Sequence, residues 1–382
     1  MQINSNFMHL ILLLLTLFFC TATQAATETC DVPWPAWESF KQTFISEEGR
    51  VIDPNTDDLR TTSEGQAYAL FFSLVANDRP TFEKLFNWSE KNLAGGDMTT
   101  NLPAWLWGKN DSDNWAVLDS NSASDADLWM AYTLGEAGRL WVDRRYVALS
   151  SLMADRILST ETKEVPKLGL VLLPGKTGFI PSDHRVRLNP SYVPLQLLRW
   201  FSAHSKDPRW VALTNSSLQI IVSASPKGYA PDWTLFDDAQ GFLPDTDAQQ
   251  NMPGSYDAIR VYLWAGMLNR DDSNRRTLTD TFKPMAQFIA THGSPPQSIQ
   301  IITGVAYNPG SSGFSAAALP FLLASGLNKA ADEQVKRIAD QPIGEDNYYD
   351  QVLGLYGTGW FNKLYQFDSK GNLTPRWMSK CK

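Results

Sequence analysis

The chain has 382 residues and a formal net charge of −8, with no concentrated Lys/Arg run, which excludes the basic footprint that a nucleic-acid partner requires. A hydrophobic share of 43% against 19% charged residues excludes a disordered chain and fits a large core. The 14 Trp stand out, because indole is flat and apolar and stacks on the C–H faces of sugar rings, so the composition suits a neutral polysaccharide.

At the N-terminus, Leu10 to Phe19 is an apolar run followed by small residues at Thr23-Gln24-Ala25. This predicts a cleaved export signal over 1–25, although the first nine residues carry no Lys or Arg. The run is too short for an ordinary membrane span, and no later segment is long and apolar enough, so the mature chain is expected not to cross a membrane. Export makes the protein periplasmic or secreted. Cys30 and Cys381 then remain. A bond between them would tie the two ends together, and two separate thiols are the alternative.

Apolar residues recur at helical spacing over 33–46, 64–77, 80–93, 124–140, 143–158, 192–204, 207–223, 257–268, 273–292, 313–325, 329–342 and 347–362. Strand alternation is scarce, with Gly169 to Leu173 and Ile299 to Val305 the best candidates. Tight turns such as Asn77-Asp78-Arg79-Pro80 alternate with long connections over 95–122, 160–190 and 224–255. About a dozen helices joined alternately by short and long connections predict two concentric rings, an all-α (α/α)6 barrel. Its functional site belongs at the long-loop end. No linker interrupts 26–382, which is read as a single domain and, most simply, a monomer.

Three acidic positions each open a helix after a long loop. Glu64 follows Thr61 at capping-box spacing, so a capping role competes with a chemical one, and Gly65-Gln66 behind it suggest a place where a ligand approaches. Asp125 and Asp127 sit in one first turn, two residues apart, and therefore face different ways. Asp257 precedes Arg260 by three residues, within pairing distance on one face, and Ser255 is placed to cap that helix. If alternate helices form the inner ring, Glu64, Asp125 and Asp257 surround one cleft. Glycosidic hydrolysis needs such a set: one protonated carboxyl for the leaving oxygen and one ionised carboxylate to activate water.

The run from Ala123-Ser124-Asp125-Ala126-Asp127 through Gly138-Arg139-Leu140-Trp141 resembles the signature of glycoside hydrolase family 8, with Thr133 where that family usually has Ser or Ala. Ser63 to Tyr68, Leu188 to Tyr192 and Tyr256 to Arg260 are similar to further motifs of the family. Trp34 to Trp37 and Leu102 to Gly108 are similar to its members encoded beside bacterial cellulose synthases. The resemblance implies the (α/α)6 barrel, an open cleft and inverting endo-hydrolysis of β-1,4-glucan (cellulose) chains. It implies Glu64 as general acid, Asp257 as general base, Asp125 as the residue that binds and distorts the sugar, and Tyr192 as a positioning group. It also implies a functional association with a cellulose synthase or export complex. Trp105, Trp107, Trp115, Trp233 and Tyr256 lie in or beside the long loops and are candidate stacking platforms. Arg260 is a candidate to bind substrate or steer Asp257.

No cofactor is expected. His184, His204 and His292 show no metal-ligand spacing, and no Gly-x-Ser-x-Gly elbow is present. Two alternatives stand beside the glucanase: a relative of the same fold cutting xylan, mixed-linkage glucan or chitosan, and a non-catalytic glucan-binding protein. Intact acid and base positions favour catalysis over the latter.

Overall fold

The structure, a computed structural model, describes residues 32–245 and 253–380. The expected export signal and both cysteines of the expected disulfide, Cys30 and Cys381, lie outside these residues.

The twelve predicted helices are present with ends shifted by a few residues. One, 273–292, is divided at Phe282 into α9 (Arg275–Thr281) and α10 (Lys283–His292), because Pro284 near the start of α10 cannot donate to the preceding turn. The helices form two rings. Six are buried almost all round: α2 (Ser63–Val75), α4 (Ser124–Leu140), α6 (Leu195–His204), α8 (Ala258–Met267), α11 (Ser312–Ala324) and α13 (Tyr348–Phe361). The others bury one stripe: α1 (Pro35–Phe44), α3 (Arg79–Asn92), α5 (Arg144–Thr160), α7 (Arg209–Ser223), α9 with α10, and α12 (Asn328–Asp340). Thus α5 turns Tyr146, Leu149, Met153, Ile157 and Leu158 inward at spacings of three and four. A terminal turn, α14 (Trp377–Lys380), closes the chain.

From α2 to α11 each inner helix packs on the outer helix that follows it and on the next inner helix, and α13 takes α1 as its outer partner. The inner ring closes where Tyr356 of α13 meets Phe71 and Phe72 of α2, at centroid distances of 5.5 and 4.6 Å. The barrel axis is plugged by Trp129, Trp264 and Tyr356 from α4, α8 and α13, whose rings lie 5.0–5.2 Å apart in pairs. The centre is therefore packed core, and truncating one of these rings to Ala would cost about 3–5 kcal/mol. Close approach of α11 to its neighbours depends on glycine: a Cβ at Gly266 or Gly357 would run into the backbone of Phe321 or Ala316.

Inner-to-outer connections are short turns. Three carry a left-handed residue at the equivalent place: Asn77 (φ 58°), Val142 (φ 56°) and Gly326 (φ 75°). The outer-to-inner connections at the other end hold more strand than the sequence suggests, all antiparallel. β1 (Thr61–Thr62), β2 (Leu106–Lys109) and β3 (Trp115–Asp119) form one sheet in that order. β4 (Thr162–Val165) pairs with β5 (Gly169–Leu172), and β6 (Arg185–Leu188), β7 (Thr234–Asp237) and β8 (Gly241–Pro244) form a second three-stranded sheet. The third is β9 (Pro253–Gly254), β10 (Pro296–Gln300) and β11 (Ala306–Pro309), with β10 between the other two. β12 (Tyr365–Phe367) and β13 (Leu373–Pro375) follow α13 as a separate pair. Among the described residues no helix is long and apolar enough to cross a membrane.

Candidate active site

The N-termini of the inner helices converge at the long-connection end and carry the predicted carboxylates. At α2, the Ser63 N–H donates to Trp105 O at 3.0 Å, anchoring the helix start to the chain just before β2. Thr62, not Thr61, is the cap: its Oγ1 accepts the Gly65 N–H at 3.1 Å. Thr61 instead turns inward, accepting from Arg50 Nε at 2.8 Å. The capping-box reading of Glu64 therefore fails, and its half-buried side chain is left for other work. Gly65 serves packing, since a Cβ there would strike the Tyr348 hydroxyl.

Asp125, second residue of α4, is buried. Its Oδ1 accepts the Ala126 N–H at 2.8 Å and its Oδ2 accepts the Tyr68 hydroxyl at 3.2 Å, with Arg260 Nη2 3.8 Å away. Asp127 points elsewhere, as a two-residue offset requires, and meets Glu161 inside the core.

Asp257 immediately precedes α8. Arg260 Nη2, one turn on, donates to Asp257 Oδ1 at 2.7 Å and to Ser191 Oγ at 3.0 Å. Ser191 and Tyr192 belong to a 3-10 turn, Pro190–Tyr192, held by Asn189 Oδ1 and by Trp264 Nε1 donating to Ser191 O at 3.0 Å. This sets Tyr192 beneath the Arg260 guanidinium, 5.9 Å from the ring centroid. Ser255 does not cap α8, as its hydroxyl donates to Gln297 O at 2.6 Å. The cap is Asp232, whose Oδ1 accepts the N–H groups of Ser255, Asp257 and Ala258.

The electrostatics separate the acids. Burial, then the charge of Asp125, pushes the Glu64 carboxyl up to about 8, with a smaller push from Asp257, so it keeps its proton at neutral pH. Burial raises Asp125 to about 6, with the Arg260 charge pulling it back down. Burial also holds the Tyr192 phenol well above its usual range, reinforced by the surrounding carboxylates, so Tyr192 stays a neutral hydrogen-bonding group. A protonated carboxyl, a guanidinium-bound carboxylate and a third carboxylate between them form the set that acid–base hydrolysis of a glycosidic bond uses.

The aromatic candidates divide. Trp105 is half-buried where the starts of α2 and α4 are tied together, its N–H donating to Asn121 O at 2.8 Å. Trp233 is half-buried beside Tyr192 at 5.8 Å, stacked on Phe179 and under the Arg187 guanidinium at 4.1 Å. Tyr256 is 52% exposed, with its hydroxyl accepting from Gln297 Nε2 at 3.1 Å. Trp107 and Trp115 are placed differently. Trp107 shares the strand face of the inward-turned Thr61 and packs edge-on to Trp88 of α3 at 5.3 Å. Trp115 stacks on Trp107 at 5.1 Å, and the Arg50 guanidinium covers both, so Trp107 is packed against the outer ring while Trp115 stays 45% exposed.

Tyr68, Ser191, Asp232, Tyr348 and Tyr349 join the site without having been singled out. Tyr68 had a signal, standing four residues after Glu64 on the same helical face. Asp232 had none, because its partners are backbone groups 23–26 residues away. His184, His204 and His292 are exposed, and among the described residues no cluster of His, Cys, Asp or Glu is arranged to hold a metal ion.

Known proteins place this geometry. The family description Glycosyl hydrolases family 8 matches residues 8–363. The chain belongs to glycosyl hydrolase family 8. It is 48% identical over 348 residues to an endoglucanase of Salmonella typhi, covering 91% of this chain and 92% of that one. An endoglucanase of Xanthomonas axonopodis is 43% identical over 360 residues, covering 93% and 92%. The crystal structure of an endo-1,4-D-glucanase from Vibrio fischeri superposes with a TM-score of 0.83 at 47% identity, covering 91% of this family 8 chain and all of that one.

Proposed function

We propose that this protein is an endo-1,4-β-glucanase that hydrolyses internal bonds of cellulose-type chains with inversion at the anomeric carbon. The observation that carries the reading is the pairing of a proton-bearing Glu64 with an Arg260-held Asp257 across a family 8 site. The similar proteins named above as endoglucanases support the substrate class.

Glu64 gives its proton to the glycosidic oxygen as the C–O bond breaks. A water enters the opposite face of the sugar, its oxygen bonds to the anomeric carbon, and its proton passes to Asp257. Inverting enzymes leave roughly 6.5–9.5 Å between the two carboxyls for that water. Asp125, beside Tyr68 and Arg260, binds the sugar at the cleavage point and offsets the positive charge of the transition state. Tyr192 positions the water, and Trp105, Trp233 and Tyr256 stack on neighbouring glucose rings. The motif resemblance supports action outside the cytoplasm, on chains leaving a cellulose synthase or export complex.

Viscosity loss of carboxymethyl cellulose tests this, comparing the protein with Glu64→Gln. Rapid loss for the parent and a drop of about 10²–10⁴ in rate for the variant are expected. An inactive parent that hydrolyses xylan, mixed-linkage glucan or chitosan would move the substrate class. Binding of the polymer without cleavage would replace the enzyme by a glucan-binding protein.

A further inference from the structure

Asp232 has no role in the reaction written above, yet its side chain is committed to the segment that carries Asp257. Its Oδ1 accepts three backbone N–H groups, from Ser255 at 2.8 Å, Asp257 at 3.0 Å and Ala258 at 2.8 Å. Its own N–H donates back to Pro253 O at 3.0 Å, so the two segments grip each other in both directions. The 230–232 stretch is in turn fixed to α8: the Ala230 N–H donates to the Tyr262 hydroxyl at 2.8 Å, and Gly254 lies so near Ala230 O that a Cβ would collide with it. An ordinary cap satisfies one or two N–H groups. Here one oxygen satisfies three, and one of them belongs to the residue whose side chain faces the reaction.

We propose that Asp232 is a positioning residue for the general base, fixing the backbone of Asp257. This rests on the reading of Asp257 as the base. A base that drifts by an ångström loses the line between water and anomeric carbon, and misplacement of that size costs on the order of 10²-fold in rate. Besides Asp257, the groups around Asp232 are the phenols of Tyr349, Tyr262 and Tyr229, with the Arg260 guanidinium on the far side of Asp257. Burial and the Asp257 charge raise the Asp232 carboxyl to about 7, which marks the two as near neighbours of like sign. Below about pH 7 that carboxyl is mostly protonated, so its grip on the three N–H groups comes from the position of the oxygen and not from a charge.

Two variants separate position from charge. Asp232→Asn keeps an oxygen for the three N–H groups and removes the charge. It is expected to fold normally and to retain kcat and KM. Asp232→Ala removes the grip and is expected to lower kcat by about 10–100-fold with KM within a few-fold. The test measures kcat and KM on cellohexaose from pH 4 to 9, with melting temperatures for both variants and Asp257→Asn alongside. A folded Asp232→Ala variant with the parent's kcat overturns the proposal, and if Asp232→Ala fails to fold, an Asp232→Glu variant, whose oxygen lies one methylene out of place, overturns it by keeping the parent's kcat. Substantial activity in Asp257→Asn would instead overturn the assignment of the base.

Discussion

Arg260 donates from one nitrogen to Oδ1 of Asp257 at 2.7 Å, across a single turn of α8, and that nitrogen also reaches Ser191 Oγ at 3.0 Å. A planar guanidinium serves both acceptors from a fixed direction, whereas an ammonium on a flexible stem does not. Arg260→Lys should therefore lower kcat by about 10–100-fold while KM changes little, because binding platforms stay in place and only the base is misaimed. Steady-state kinetics on cellohexaose check this, and a variant with parental kcat would detach Arg260 from the reaction.

The Glu64 carboxyl sits at about 8, first through burial and second through the charge of Asp125. An acid catalyst works while it holds its proton, so kcat/KM should fall as pH rises through about 8. Asp125→Asn removes the repelling charge and should shift that alkaline limb to lower pH, in addition to lowering the rate at every pH. An alkaline limb unmoved by Asp125→Asn would show that another group carries it.

Behind the site, Asp127 and Glu161 are fully buried and meet each other, with Ser122 Oγ donating to Glu161. Burial raises Glu161 to about 7 and Asp127 well above its usual range. Both folded-state values lie above the unfolded ones of about 4, so the folded chain holds protons that the unfolded chain has released. Stability therefore falls as pH rises from about 4 through about 7. Asp127→Asn removes one of these titrations and keeps an N–H donor for Glu161. Its melting temperature should rise relative to the parent between pH 4 and 8, and a pH-independent difference would contradict the shared-proton reading.

Val142 holds φ at 56° with its side chain 88% exposed. A left-handed β-branched residue costs roughly 1–2 kcal/mol and here gains no packing in return. Val142→Gly should stabilise the protein by about 1 kcal/mol, read as a rise of about 2 °C in melting temperature. A fall would show that the turn draws stability from the valine.

The ring of helices was legible because burial on one or all faces imposes a 3.6-residue period that survives in the sequence, as along α5. The break at Phe282 was missed because α9 and α10 continue the same apolar stripe past Pro284. Of the strands in the long connections, Gly169 to Leu173 was legible as β5, whereas Ile299 to Val305 overlaps only the end of β10 and the others were missed, because strands of two to five residues are too short to show alternation. β3, for example, is an edge strand with Trp115, Val117 and Asp119 all exposed. In the site, Glu64, Asp125, Asp257 and Arg260 stood out as acids and a partner at helix starts, and Tyr192 through the family motif around it. Asp232 did not, since a side chain that acts on distant backbone N–H groups leaves no local spacing. Trp107 looked like a cleft platform because it sits in a long loop, but strand alternation turns it to Trp88 of α3.

The central claim, single displacement by water between Glu64 and Asp257, is tested most directly by proton NMR of the first products released from cellopentaose. The account predicts that the new reducing end appears as the α anomer and mutarotates to the β form afterwards. Initial appearance of the β anomer would mean a covalent glycosyl-enzyme and would contradict it.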